Sequence, residues 1–152
     1  MKHPTTVCDV MSRKVITLTE EDTIDKVEDG MSRFRFRHLP VVRGDKVVGL
    51  ISHRDMLQIS SSSLSADRKR RDKLIHQLSA GRIMKQDLIT VRPDTTLTAA
   101  ADLLWEHKIG CLCVTTPDDV LVGIITEADF VRFAESVLRD GSSNADVAPP
   151  VS

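Results

Sequence analysis

The feature that most constrains this chain is that it repeats itself. Asp9-Val10-Met11 aligns with Arg82-Ile83-Met84, and Val15-Ile16-Thr17 with Leu88-Ile89-Thr90, at a constant shift of 73 residues (84 minus 11). The shift carries on through Thr23-Ile24 with Thr96-Leu97, Val27 with Ala100, Met31 with Leu104, and Leu39-Pro40-Val41 with Leu112-Cys113-Val114. One residue is then inserted. Gly49-Leu50-Ile51-Ser52 matches Gly123-Ile124-Ile125-Thr126 at a shift of 74, as does Asp55 with Asp129. The extra residue belongs to the turn Thr116-Pro117-Asp118-Asp119, opposite Arg43-Gly44-Asp45, where an insertion costs little. A chain of 152 residues that reads twice is therefore two small units leaning on each other.

Periodicity names the elements of each copy. Ile24, Val27, Met31 and Phe34 recur at helical spacing, as do Leu97, Ala100 and Leu104, so an amphipathic helix follows the opening strand. Leu39–Val42 and Lys46–Ile51 flank Gly44-Asp45 as a hairpin, repeated by Leu112–Thr115 and Leu121–Ile125. A second helix starts at Ser52 or Thr126 and carries Met56 and Leu57, or Phe130, Val131 and Phe133. Each copy reads as β-α-β-β-α, and the fold class is α/β. The first unit spans residues 7–58 and the second 80–134. Between them, 59–79 form a linker that opens on the flexible Ser60-Ser61-Ser62-Ser63 and turns helical, with Leu74, Ile75 and Leu78 on one face. Residues 140–152, rich in Gly, Ser, Asn and Pro, read as a disordered tail.

Composition excludes several classes. With 21 Lys and Arg against 22 Asp and Glu, no global field favours a polyanion, and any anion site must be local. The Arg68-Lys69-Arg70-Arg71 run, interleaved with Asp67, Asp72 and Lys73, is read as a solvated helix face in preference to a nucleic-acid patch. No stretch of roughly eighteen apolar residues occurs, so no membrane span is expected, and a cytoplasmic protein is the simplest reading. Cys8, Cys111 and Cys113 read as reduced packing residues, the latter two set on opposite sheet faces. The five His show no metal-ligand spacing with them, so no metal site is expected.

No nucleophile stands beside a base, and no Gly-rich phosphate loop of Rossmann or Walker spacing is present, so the chain is not read as an enzyme. The informative constellation is Gly49-Leu50-Ile51-Ser52-His53-Arg54-Asp55 with its twin Gly123-Ile124-Ile125-Thr126-Glu127-Ala128-Asp129. A hydroxyl followed three residues later by an acid is the pattern of a helix capping box. It recurs at the same point of both copies, and a strand running into a helix start presents free N–H groups at which phosphate can sit. Both readings stand at this stage.

Here the sequence resembles the CBS domains, named after cystathionine β-synthase, which occur as tandem pairs (Bateman modules). The resemblance rests on Asp9-Val10-Met11, Val15-Ile16-Thr17, Arg37-His38-Leu39-Pro40-Val41-Val42 and Val48-Gly49-Leu50-Ile51-Ser52 with Asp55. In the second copy it rests on Ile83-Met84, Leu88-Ile89-Thr90-Val91, Ile109-Gly110-Cys111-Leu112 and Val122-Gly123-Ile124-Ile125-Thr126 with Asp129. It implies two units packed sheet to sheet about a pseudo-twofold axis with two clefts between them. Such pairs bind adenosine nucleotides (AMP, ADP, ATP) or S-adenosylmethionine as regulatory ligands and relay occupancy to an effector protein. By position, Asp55 and Asp129 would accept from ribose hydroxyls, and Ser52 and Thr126 would meet phosphate. Ile16, Thr17, Ile89 and Thr90 would line the adenine pocket, and Arg37 and His38 would add positive charge.

The copies differ where this matters. Gly110-Cys111 replace Arg37-His38, Cys113 replaces Pro40, and Glu127 replaces His53, so unequal occupancy of the two clefts is expected. The leading reading is an adenine-nucleotide-sensing regulatory module. A homodimer is expected, since apolar Met56 with Leu57 and Phe130 with Phe133 end the second helices; one alternative function is a purely structural homodimerisation module whose clefts stay empty. The other is nucleic-acid binding through Arg33, Arg35, Arg37 and the Arg68 to Arg71 cluster, against which Phe34 and Phe36 are read as core residues and not as base-stacking platforms.

Overall fold

The computed structural model describes residues 3–61 and 68–141. In chain order the elements are α1 (Ile24–Phe34), β1 (His38–Arg43), β2 (Lys46–Ser52), α2 (His53–Ser61), α3 (Arg68–His76), α4 (Ala80–Ile83), β3 (Thr90–Val91), α5 (Leu97–His107), β4 (Cys111–Thr115), β5 (Leu121–Thr126) and α6 (Glu127–Gly141), preceded by a 3₁₀ turn over Val7–Asp9. The α/β reading stands. β1 pairs antiparallel with β2, and β3, β4 and β5 form a second sheet in which β3 runs parallel to β4. The opening strand expected in the first copy shrinks to one parallel bridge, Leu18 with Val41, held by Leu18 N–H donating to Pro40 O at 2.9 Å and Val42 N–H to Leu18 O at 2.8 Å.

The helical stripes bury Ile24, Val27 and Met31 in α1 and Leu97, Ala100 and Leu104 in α5. Phe34 is a correction. It is 53% exposed and Phe36 40%, and their rings stack on each other at 6.2 Å between centroids. Phe34 is the final residue of α1, one turn past Met31, the last position of the stripe to reach the core; the two rings cover each other instead. Met56 is buried, while Phe130 and Phe133 pack against the second core, so these three are covered within the chain; Leu57, Val131 and Leu138 stay exposed. Leu74 is 62% exposed, and Leu78 packs on the first core. Ser60 and Ser61 continue α2 and do not open the linker, and Asp140 and Gly141, expected to begin a disordered tail, are the last residues of α6; Ser62, Ser63 and residues 142–152 lie outside the described residues.

The units exchange their opening arms. Val7 and Met11 belong to the core formed by Val91, Leu97, Ala100, Leu104, Leu112, Val114 and Ile125 of the second copy. Reciprocally, Ala80 joins the core of Leu18, Ile24, Val27, Met31, Leu39, Val41 and Ile51, with Met84 packed against it. The hydrogen bonds mirror this. Val7 N–H donates to Thr95 O at 2.8 Å and Leu97 N–H to Thr5 O at 2.9 Å; their counterparts are Ala80 N–H to Asp22 O at 2.6 Å and Ile24 N–H to Leu78 O at 3.1 Å. The pseudo-twofold relation implied by the repeat is thus a physical swap of segments. The two hairpins meet where Val47 N–H donates to Asp119 O at 3.1 Å and Leu121 N–H to Asp45 O at 3.0 Å.

The paired glycines make the swap possible. A Cβ on Gly49 would stand 2.6 Å from Met84 Cγ, and one on Gly123 would stand 2.6 Å from Met11 Sδ. Each arm methionine therefore lies on the bare backbone of the other copy's second hairpin strand.

Candidate functional site

Arm exchange creates a cleft between the copies. Beside β2, Leu50 exchanges two hydrogen bonds with Lys85 of the opposite arm, Leu50 N–H to Lys85 O at 3.0 Å and Lys85 N–H to Leu50 O at 2.9 Å. This draws residues 85–89 across the end of β2 and the start of α2. A cleft of about 430 Å³ results, lined by Ser52, His53, Arg54 and Asp55 from the first copy and by Lys85, Asp87, Leu88 and Ile89 from the second. Arg37, His38, Leu50 and Leu57, together with Lys108 to Cys111, Cys113 and Glu127, complete it. The volume falls in the range of small-molecule sites, roughly 300–1,000 Å³.

Five of the residues singled out from sequence therefore meet in one place: Arg37, His38, Ser52, Asp55 and Ile89. Ile16, Thr17, Thr90, Thr126 and Asp129 do not line this cleft. Thr126 and Asp129 sit at the equivalent junction of β5 and α6, where Ser12 of the first arm pairs with Ile124 as Lys85 pairs with Leu50. Ile16 packs on the first core, Thr17 is exposed, and Thr90 pairs with Cys113 in the second sheet. Lys85 and Lys108 went unremarked in the sequence because only the tertiary structure brings them to the cleft that Asp55 lines; the signal that was available is the contrast of Lys85 with its counterpart Ser12.

Asp55 forms a helix cap with one carboxylate oxygen and turns the other to Lys85. Its Oδ2 accepts from Ser52 N–H at 2.9 Å and from the Ser52 hydroxyl at 2.8 Å, while Asp55 N–H donates back to Ser52 Oγ at 3.2 Å. That is a capping box. Oδ1 is turned instead to Lys85 Nζ at 3.2 Å. Burial pushes the Asp55 carboxyl up, but the Ser52 N–H and hydroxyl and the Lys85 ammonium outweigh it and hold the group below the usual carboxylate range. In the second copy Thr126 N–H and hydroxyl reach Asp129 Oδ2 at 2.8 and 3.2 Å. Among the described residues no lysine pairs with Asp129, and Ser12 stands at the position equivalent to Lys85.

His38 lies deep in the cleft. Burial lowers its basicity, against the pull of Glu127 and Asp55 and with the push of Arg37. Gly110 admits it: a Cβ there would come within 2.8 Å of His38 Nε2, so the imidazole occupies the space that a side chain in place of Gly110 would fill. Both helix starts are tied to the mouth of the cleft, His53 N–H donating to Arg37 O at 2.7 Å and Glu127 N–H to Gly110 O at 3.1 Å. Cys111 and Cys113 are free and buried. Their placement on opposite faces is corrected, because residues two apart in a strand share a face and both line the cleft. Burial pushes both thiols up, Cys113 to about 12. Among the described residues, Asp25, Glu28 and His76 form a cluster of ligand-type side chains away from the cleft, His76 Nε2 lying 3.6 and 3.4 Å from the two carboxylates. This contact ties α3 to α1.

Two repeated units that exchange arms around a cleft define a tandem module of the α/β class. A CBS domain family model matches residues 7–62 and again 80–136, and the chain belongs to that family as a tandem pair. Its structure is similar to that of a putative acetoin utilization protein (AcuB) from Vibrio cholerae, with TM-score 0.76 and 33% identity over 92% of this chain and 97% of that one. It is also similar to CBSX2, solved in complex with AMP, with TM-score 0.76 and 26% identity over 90% of this chain and 100% of that one. Among curated sequences, an uncharacterized protein of Methanocaldococcus jannaschii, MJ1225, is 30% identical over 82% of this chain; the chain spans 45% of that relative's length. No described helix is long and apolar enough to cross a membrane.

Proposed function

We propose that the protein is a regulatory module that binds an adenosine nucleotide in the cleft between its two copies and passes the occupancy to a partner protein. The observation that carries this reading is the position of Asp55: one carboxylate oxygen is fixed by the helix cap, and the other faces a cleft also lined by Ile89 of the opposite copy. A ribose diol is a double donor that suits such an oxygen, and the 5′-phosphate suits the start of α2 with His53, Arg54 and Lys85 around it. Ile89 and Leu88 supply an apolar wall for the base. The AMP complex of CBSX2, a relative at 26% identity, supports the ligand class. By the repeat, Asp129, Thr126, Ile16 and Thr17 are assigned to the second cleft, and Thr90, the equivalent of Thr17, to the side of the first cleft that Ile89 lines.

Titration calorimetry and thermal shift with AMP, ADP, ATP and adenosine test this directly. Saturable heat and a raised melting temperature are expected, because a ligand that binds only the folded state stabilises it. Absence of both with all four ligands at about 1 mM would refute it. A second reading, a homodimerising module, is favoured by exposed Leu57 and Val131 on the second helices. Sedimentation at micromolar concentration distinguishes it: a dimer that Leu57→Glu dissociates supports it, and a 17 kDa species alone removes it.

A further inference from the structure

Lys85 is the residue at which the two copies depart most plainly from each other within the site. Each arm crosses the other copy's second hairpin strand through a matched pair of backbone hydrogen bonds, Lys85 with Leu50 and Ser12 with Ile124, at 2.9 to 3.0 Å. The backbone positions are equivalent, yet one presents an ammonium group and the other a hydroxymethyl. The Lys85 ammonium lies 3.2 Å from Asp55 Oδ1, the oxygen not engaged in the helix cap. Its side chain is 67% exposed whereas that of Asp55 is 10% exposed, so the lysine is the mobile partner and the carboxylate the fixed one.

We infer that Lys85 makes the Asp55 cleft select phosphorylated adenosine over adenosine itself, because its ammonium and the ribose hydroxyls compete for the same carboxylate oxygen and only a phosphate compensates the lysine for leaving. An unphosphorylated nucleoside must break the Lys85–Asp55 pair and offers the ammonium no anion in exchange. A nucleotide breaks the same pair and supplies one. The start of α2 adds His53 and Arg54 to the lining of this cleft, to which the start of α6 contributes Glu127. The Asp129 junction, with Ser12 in place of the lysine, has no such exchange to make. The selectivity is thus placed on an arm that the chain lends from one copy to the other.

The inference rests on the nucleotide-binding reading, and the test separates the two. Wild type, Lys85→Ser, Lys85→Arg and Asp55→Ala are titrated with AMP and with adenosine. Lys85→Ser gives the first cleft the residue that stands at the Asp129 junction; as an exposed position held by its backbone, its melt is expected to fall by no more than a few degrees. AMP affinity should fall about tenfold. Adenosine affinity should stay the same or rise, because Asp55 Oδ1 loses its competitor. Lys85→Arg should keep the preference for AMP, and Asp55→Ala should weaken both ligands together. Equal weakening of AMP and adenosine in Lys85→Ser, or no change in AMP affinity, overturns the inference while leaving nucleotide binding intact. Wild type that binds neither ligand refutes the binding reading itself, and this inference with it.

Discussion

Replacing Asp55 with Ala removes one carboxylate that serves two structures at once. The Oδ2 atom accepts from Ser52 N–H at 2.9 Å and Ser52 Oγ at 2.8 Å, and Oδ1 pairs with Lys85. Truncation leaves the Ser52 N–H and hydroxyl without that acceptor at the first turn of α2, where a capping residue contributes about 1 kcal/mol and up to about 2. Two charge-assisted bonds to a buried carboxylate set the upper part of that range, offset by the desolvation that the buried charge no longer costs. The Lys85 pair, with an exposed lysine, adds at most a few tenths to about 1 kcal/mol. About 2 kcal/mol of destabilisation follows. For a chain of this size that lowers the melting temperature by roughly 4–8 °C. Asp129→Ala removes two such bonds, one of them at 3.2 Å and neither backed by a lysine, so about 1 kcal/mol is expected. The pH dependence follows in sign. A carboxyl whose folded value lies below its unfolded one stabilises the fold above about pH 4 and loses that contribution as pH falls through the folded value. Calorimetric melts between pH 7 and pH 3 should therefore show a gap between wild type and Asp55→Ala that narrows with acid. Equal melting temperatures at neutral pH, or a gap that widens with acid, would refute the account of Asp55 as a charged cap.

Gly49→Ala places a methyl group against the Met84 side chain and should cost about 1–3 kcal/mol, with a second substitution Met84→Ala recovering part of the loss in a double-mutant cycle. Additive losses would show that the arm methionine is not what the glycine accommodates. Under native conditions at pH 8, a thiol reagent should modify half-exposed Cys8 and leave buried Cys111 and Cys113 slow, all three reacting only in denaturant. Because burial holds His38 below its ordinary value, the unfolded chain takes up its proton first; stability should decline as pH falls below about 6.5, and His38→Asn should flatten that decline between pH 7 and 5. An unchanged slope in the variant would assign the dependence to other groups.

How far the site was legible depends on whether the recognising elements are local. Ser52 with Asp55 and Thr126 with Asp129 are separated by three residues, so the capping geometry follows from spacing alone; the structure forms the bonds from the Ser or Thr N–H and hydroxyl to the acid in both copies, and the return bond from Asp55 N–H to Ser52 Oγ in the first. Arg37 and His38 sit at the head of β1 and reach the cleft through the short path of the hairpin. Lys85 does not belong to any local motif; it comes beside Asp55 only through the Leu50 ladder. The phenylalanines show the opposite failure. Phe34 satisfies the helical period of α1 and still lies outside the core, because periodicity specifies a face and not how far along that face the neighbouring sheet extends.

The sequence by itself determined that this chain is two copies of one unit, the turns that close its hairpins, the apolar stripes of α1 and α5, and the hydroxyl-acid starts of α2 and α6. Each of these depends on residues close together in the chain. Only the tertiary structure decided which copy each arm completes. Met11 and Met84 stand at equivalent points of the repeat, and a local pattern is satisfied whether an arm packs on its own unit or on its twin. The exchange is settled by what the partner surface offers: Gly123 for Met11, Gly49 for Met84, and a matched run of backbone donors and acceptors on each side. That choice brings Ile89 and Lys85 of one copy to Asp55 of the other, and so forms a cleft that neither copy contains alone.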